Sequence, residues 1–407
     1  MSTLIVLVAY LPLFILPGTM GIYSDFKLFL FYIVTAILLF VIALNRQFTF
    51  HTKHLQLIML VTLITLVSTF LANASWQSFF GSSELQIGTL FFITLGLFNM
   101  GLVQTLTQQN NQKAFIKHTL ICTLIICLYG LLQYLNLDPL IPDIRELSYR
   151  IIGTLGQPNF LGQFLLFPFF ILLFHKKNFW NLILLGLISL CIFLTINKAT
   201  WLGIGFAVFL YLLNLTSWKK ITKAGIWIGS LISGLGLIIA NPLGLRSVSS
   251  RLQLWLASFS ELSLKETLVG KGLASFQDAY GKIMTADVFA YEEFFTQPAQ
   301  IHSEVLQIFF DLGILGLIAY FLVYKLVLQN LFIKENKFNT SIKLSLVAYL
   351  ISISFGFAVL ENWILVTVFL SIYYFQHNPD FKTVALNKAH QMVLITCTVC
   401  LTTYASL

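Results

Sequence analysis

The run His302-Ser303-Glu304-Val305-Leu306-Gln307-Ile308-Phe309-Phe310-Asp311-Leu312-Gly313-Ile314-Leu315-Gly316 joins the longest polar segment of the chain to a long apolar run. A lone histidine, a serine and an acid stand where polar loop becomes apolar helix, and two glycines follow inside it. Residues 304–329 are numerous and apolar enough to cross a bilayer, which takes roughly 20 residues in helical form. Similar runs recur along the whole length. Of the 407 residues 58% are hydrophobic and only 10% charged, whereas soluble domains carry about 25% charged residues. The runs do not alternate as the strands of a membrane barrel do. The fold class is therefore all-α, a polytopic membrane protein with about 12–13 transmembrane helices. Residues 1–407 form one integral membrane domain, and 241–303 is a long loop between spans within it.

The expected spans are 2–20, 27–44, 55–73, 86–106, 116–136, 159–174, 179–196, 200–215, 224–240, 304–329, 342–359, 363–376 and 391–406. The last follows the polar stretch 376–390 and either crosses the bilayer or lies on its surface. The first is too long for a cleaved signal and lacks a small-residue cleavage site. With the N-terminus in the cytoplasm, most of the 24 basic residues face inward. They include Arg46, Lys53, Lys113, Lys117, Lys176, Lys177, Lys219, Lys220 and Lys223, and every short inward loop is basic. The net charge of +8 is scattered among short loops, so it signals no nucleic acid. All five cysteines, Cys122, Cys127, Cys191, Cys397 and Cys400, lie in apolar runs and read as packing residues.

The outward side then owns two long polar segments, 137–158 and 241–302. A connection of about 60 residues far exceeds the usual length and is generally functional or disordered. Leu252, Leu254, Trp255, Leu256, Phe259 and Leu262 are spaced to give a helix an apolar face. Such a helix lies along the membrane interface with its tryptophan at headgroup level. A turn follows at Gly270-Lys271-Gly272. No nucleotide-binding glycine loop is present. Gly229, Gly234 and Gly236 are embedded in an apolar run, where small residues usually let two helices approach. Energy for any reaction must then come from the substrate itself.

Candidate chemistry gathers on that outward side. His302 titrates near neutral pH and suits removal of a hydroxyl proton; it equally fits a histidine that ends a loop at the interface. Arg246 and Arg251 suit phosphate oxygens, or lipid headgroups. Lys198, in a very short turn between spans, fits an anionic ligand or a lysine reaching to the surface. In Tyr149-Arg150-Ile151-Ile152-Gly153-Thr154-Leu155-Gly156-Gln157-Pro158-Asn159, Pro158 starts a helix. Gln157 and Asn159 suit sugar hydroxyls or cap that helix. Glu361 and Asn362 interrupt two spans, where an acid can orient a basic group or merely sit in a short loop. Glu292 and Glu293 are adjacent acids with nothing nearby to complete a metal site, so no metal and no cofactor is assigned. A histidine base, several cations and no nucleotide site suit transfer from a lipid-linked pyrophosphate to a hydroxyl.

At 302–316 the chain resembles the O-antigen ligase and Wzy-type polymerase superfamily. That family's pattern is histidine, then Asn, Ser or Gln, nine residues, Gly, two residues and a small residue. Here it reads His302, Ser303, nine residues, Gly313, two residues, Gly316. Residues 154–162 resemble its glycine–asparagine-rich helix start, and 197–203 its short Ser-Arg-x-x-Trp-Leu-Gly turn. Arg251 with Trp255 resembles its Arg-x-x-x-Trp. Val269-Gly270-Lys271-Gly272 with Phe276 and Tyr280 resembles its Gly-x-Gly segment. The likeness covers about 145–320, five motifs in order.

The resemblance implies a GT-C-like glycosyltransferase in the bacterial inner membrane that acts on the periplasmic side without a metal. The donor would be a glycan on undecaprenyl pyrophosphate, and the acceptor a lipid A–core, a glycan or a protein. His302 would activate the acceptor hydroxyl. Arg251, Lys198 and Arg150 would bind the donor pyrophosphate, and Gln157, Asn159 and Ser303 the substrate. Lys198 stands where the family usually has arginine, which keeps the charge but loses the two-pronged contact. Ligase-like transfer is the leading reading, with polymerase and protein O-oligosaccharyltransferase beside it. A secondary transporter or flippase is the alternative of another class. It typically carries charges or broken helices at mid-membrane, whereas these charges lie at span ends.

Overall fold

A computed structural model describes residues 2–17, 21–82, 85–141, 149–175, 178–240, 246–260, 262–283, 298 and 300–406. In chain order the helices are α1 (Ser2–Tyr10, continued by a 3-10 turn to Leu13), α2 (Asp25–Asn45), α3 (Thr52–Leu71), α4 (Ser75–Phe80), α5 (Thr89–Leu106) and α6 (Gln109–Tyr134). Then come α7 (Pro158–Phe174), α8 (Phe179–Leu194), α9 (Lys198–Leu215), α10 (Lys220–Ala240), α11 (Arg246–Ser260), α12 (Leu264–Val269) and α13 (Phe276–Ile283). The last are α14 (Glu304–Val323), α15 (Lys325–Gln329), α16 (Lys337–Ile353), α17 (Leu360–His377) and α18 (Lys388–Ala405).

Each apolar run read as a span falls on a helix. Among the described residues six of them, α2, α3, α5, α6, α9 and α14, are long and apolar enough to cross a bilayer. The chain is a mostly helical membrane protein. The expected count of about 12–13 is larger because other runs form shorter apolar helices, such as α7 and α8. The first expected span, 2–20, differs most: its helical part ends at Leu13, in a 3-10 turn that contains Pro12.

The chain is not purely helical. Gln47–Phe50 (β1) and Lys382–Ala385 (β2) form an antiparallel ribbon, with Phe48 opposite Val384 and Thr49 opposite Thr383. Such β-branched and aromatic pairs favour strands. The ribbon joins the end of α2 to the start of α18, so the two helices run antiparallel side by side. Thr398 Oγ1 donates to Ala36 O at 3.3 Å, and the Tyr32 and Tyr404 rings lie 5.2 Å apart. The run 391–406 therefore accompanies α2 along its length rather than turning away from it.

Close packing is local. α16 lies between α7 and α9, and a Cβ on Gly203 of α9 would stand 2.4 Å from Ala348 O. The approach expected at Gly229 is absent: a Cβ there meets nothing within 4 Å. Cys122, Cys127 and Cys191 are buried as expected of packing residues, but Cys400 is exposed.

The bundle has two polar ends. At the ribbon end Thr49 meets Gln104, His51 meets Tyr374, Gln112 meets Gln376, and Glu335 holds Tyr373, His377 and Lys343. These loops are those that basic residues group together in the sequence. The opposite end gathers the turns around residues 150, 197, 302 and 356.

The described part of the long loop is built onto α14. Leu254, Phe276, Tyr280, Ile283, Ile301 and Phe310 form a small core of their own. The apolar face expected to lie on the membrane is therefore partly covered by protein, although Leu252 and Leu256 stay exposed. Below this core α14 is broken at Gly313 (φ 65°, ψ −164°). The turn after α12 fits into the break: Lys271 N donates to Phe310 O at 3.0 Å, and Gly272 N to Asp311 O at 2.9 Å. Ser68 of α3 donates to the same Asp311 carbonyl at 2.7 Å. The carbonyls freed by the break thus find partners, as buried backbone requires. The contact needs glycine on both sides. A Cβ on Gly270 (φ 80°) would lie 2.0 Å from Asp311 O, and one on Gly313 2.4 Å from Leu268.

Gly270→Ala should destabilise the purified protein by at least about 2 kcal/mol through strain and steric overlap. Gly186→Ala, whose Cβ meets nothing within 4 Å, should leave the thermal midpoint where it is. Equal midpoints for the two variants would contradict the docking of this turn.

Candidate functional site

The site grows from the buried turn between α16 and α17, residues 354–359. A buried turn leaves backbone groups that need partners. Arg251 of α11 donates to Phe355 O at 3.0 Å. Ala358 N donates to Glu304 Oε2, at the start of α14, at 2.9 Å. The Phe357 ring packs between Phe160 of α7, 5.2 Å away, and His302, 5.7 Å away. One turn of chain therefore gathers α7, α11 and α14.

His302 is held in the left-handed conformation (φ 59°), which histidine tolerates better than most side chains. The residue before it is pinned on both sides. Ile301 O accepts from the Trp255 indole at 2.8 Å, and Ile301 N donates to Gln307 Oε1 at 2.8 Å. Burial pushes the His302 imidazole down to about 4 from its ordinary 6.5, and the Arg251 charge adds to the effect. The ring is only half-buried. At neutral pH it is an uncharged, reachable base.

A second group sits on the far side of Phe357. Arg150 donates to Thr195 O at 2.6 Å and to Asn159 Oδ1 at 3.0 Å. Asn197 Nδ2 donates to Asn159 O at 3.2 Å, while Asn197 Oδ1 caps α9 through Ala199 N and Thr200 N. The short turn 195–197 is thereby stitched to the start of α7. Burial pulls the Arg150 guanidinium below its ordinary value.

The expected residues fare differently. His302 and Arg251 meet across the 355–357 turn. Asn159 holds Arg150 rather than capping its helix, so both act on the fold of the turn. Gln157 occupies the cap position of α7 without capping it, and its Oε1 is buried with no partner. Ser303 stands at the start of α14, buried, and makes no capping bond. Lys198 opens α9 and is exposed. Arg246 begins α11. Glu292 and Glu293 lie outside the described residues. Glu361 does orient a basic group: it pairs with Lys27, and the Lys27 ammonium also donates to Thr154 O at 2.6 Å. Asn362 Nδ2 donates to Gln163 Oε1 at 2.9 Å.

Sequence reasoning missed two features. Lys27 pairs with an acid 334 positions away, which no local pattern reveals. Glu304, Gln307 and Asp311 were legible, because spacings of three and four put them on one helix face. They line a cavity of about 1620 Å³ of empty space, counting its open mouth, between α3, α5, α14, α15 and α17. Gln307 Nε2 donates to Asp311 Oδ1 at 2.9 Å. His302 and Arg251 are not among the residues that line this cavity.

No family model matches the chain, and no curated protein matches it.

The Lys27–Glu361 pair is buried on both sides. Lys27→Met or Glu361→Gln alone leaves one buried group unpaired and should cost roughly 3–5 kcal/mol. The combined Lys27→Met/Glu361→Met variant should recover most of that loss in thermal unfolding. A double variant no better than the singles would argue against a coupled pair.

Proposed function

We propose that the chain is a membrane glycosyltransferase that moves a glycan from a polyprenyl pyrophosphate donor to an acceptor hydroxyl at the His302 end of the bundle. The observation that carries this reading is the meeting of His302 and Arg251 at one turn, with the Arg150–Asn159–Asn197 group behind Phe357. The likeness to the O-antigen ligase and Wzy-type polymerase superfamily supports it, with undecaprenyl pyrophosphate as the donor lipid. The basic loops favour an active end on the periplasmic side of the bacterial inner membrane. Lipid A–core, a glycan and a protein are the acceptors this family chemistry offers.

The reaction divides simply. The acceptor oxygen bonds to the anomeric carbon of the donor sugar as its proton passes to the His302 imidazole. The bond from that carbon to the pyrophosphate oxygen breaks, and its electron pair leaves with the polyprenyl pyrophosphate. Arg251 and Lys198 offset the charge that builds there. Arg150 adds positive charge and holds the 195–197 turn in place. Gln157, with an unpartnered buried oxygen, suits a sugar hydroxyl on the same side.

Transport is the second reading. The break of α14 at Gly313 beside a cavity favours it, since transporters often use broken helices. Transfer assays separate the two, because a transporter makes no new glycosidic bond.

His302→Ala should lower glycan transfer by reconstituted protein at least ~100-fold, the usual contribution of a positioned base. Protein level and insertion should be unchanged, and near wild-type transfer would remove His302 as the base. Protonation removes the lone pair, so the rate should hold from neutral pH down and fall only near pH 4. In Arg251→Gln the acid limb of the residual rate should move upward, toward the ordinary 6.5. The shift should be partial, since burial remains.

A further inference from the structure

We infer that the cavity between α3, α5, α14, α15 and α17 is the acceptor's site, and that it takes an amphiphile with an uncharged, hydroxylated head. The word acceptor rests on the transferase reading; the binding site does not. The cavity runs from Ser82, Ala274 and Gln300 at the His302 end to His54, Asn99 and Tyr374 at the ribbon end. Between them its wall is largely hydrocarbon, with Ile58, Val61, Leu95, Val366 and Leu370. Such a wall suits a lipid chain laid along the bundle.

The head end is different. Glu304, Gln307 and Asp311 face it from α14. Tyr320, only 7% exposed, lines the same cavity beside Tyr324. The Gln300 Oε1 is buried without a partner. A buried hydroxyl or amide normally finds a partner, and a ligand rich in hydroxyls supplies several at once. An anionic head is disfavoured here, because among the described residues no lysine or arginine lines the cavity to offset its charge.

Gln300 and Glu304 bracket the strap that carries His302. The strap therefore has two faces. One meets Arg251 and Phe357; the other closes the acid-lined cavity. A pyrophosphate belongs on the first face and a neutral sugar-like head on the second. Among lipid-borne acceptors this favours an uncharged glycolipid head over a phosphorylated one.

The test uses the full chain in lipid nanodiscs with two photoreactive probes of equal chain length: an alkyl glucoside and an alkyl phosphate, each with a diazirine in the chain. The glucoside should label α3 and α14 at least tenfold more than the phosphate, and unlabelled glucoside should compete. Gly96→Leu, which grows from the wall toward Ile58 Cγ2, 3.0 Å from a Cβ at that position, should abolish the labelling. Gln300→Lys, which puts a cation at the head end of the lining, should raise phosphate labelling toward that of the glucoside, and this arm stands if the Gly96 variant fails to fold. Equal labelling by both probes, or labelling that nothing competes, identifies a space filled by bulk lipid and overturns the inference. His302→Ala should keep the labelling. If that variant also keeps transfer, the transferase reading falls and the labelling result is untouched. If the labelling shows no head preference while transfer depends on His302, this inference falls alone.

Discussion

A non-helical turn inside a membrane protein has to find partners for its backbone, and the 354–359 turn finds them in charged side chains. Phe355 O is met by Arg251 and Ala358 N by Glu304. A buried backbone group left without a partner costs about 1–3 kcal/mol. The bonds that satisfy this turn also bring α11 and the start of α14 together. His302 is then set beside Arg251 without any direct bond between the two. The geometry of the candidate site follows from the need to pair two backbone groups.

The same economy governs the break in α14. Gly313 frees carbonyls from the helical ladder, and the Gly270-Lys271-Gly272 turn and Ser68 take them up. Two glycines 43 positions apart in sequence make one contact possible: a Cβ on Gly270 would strike the backbone of Asp311 and Leu312, and one on Gly313 that of Leu268 and Val269. The loop above is in turn held by its own small apolar core and by the Trp255 bond to Ile301. Loop, break and strap form one unit, which carries His302 on its upper edge.

Hydropathy made the helices legible because each span is a long local run, and local runs leave local marks. The ribbon and the pairing of α18 with α2 were not legible, since they join residues more than 300 positions apart. Arg251 and His302 could be singled out because each stands where a polar stretch meets an apolar run. The role of Asn159 could not: a side chain that fits a sugar hydroxyl fits an arginine equally well, and Arg150 took it. Lys27 hid for a related reason, for a lysine at the start of a span looks like any interfacial lysine until its acid is known. Glu304, Gln307 and Asp311 share one helix face by their spacing, but nothing local in the sequence marks that face as the wall of a cavity.

The strap 300–304 separates unlike environments within a few residues. Burial, with Arg251 on one face, depresses the basicity of His302, and the same arginine attracts anions; the cavity on the other face offers them no lysine or arginine among its described lining residues. A base with a pKa near 4 accepts a proton poorly from a free alcohol. It does so effectively only when the alcohol's oxygen is forming its new bond at the same moment, so that the proton is lost from a species far more acidic than the alcohol. In the transfer we propose, that requirement would tie the histidine's work to the arrival of the donor, whose leaving charge Arg251 would offset. A low basicity and a neighbouring cation, which look like handicaps for a base, would then keep His302 neutral and make bond formation and proton removal one event.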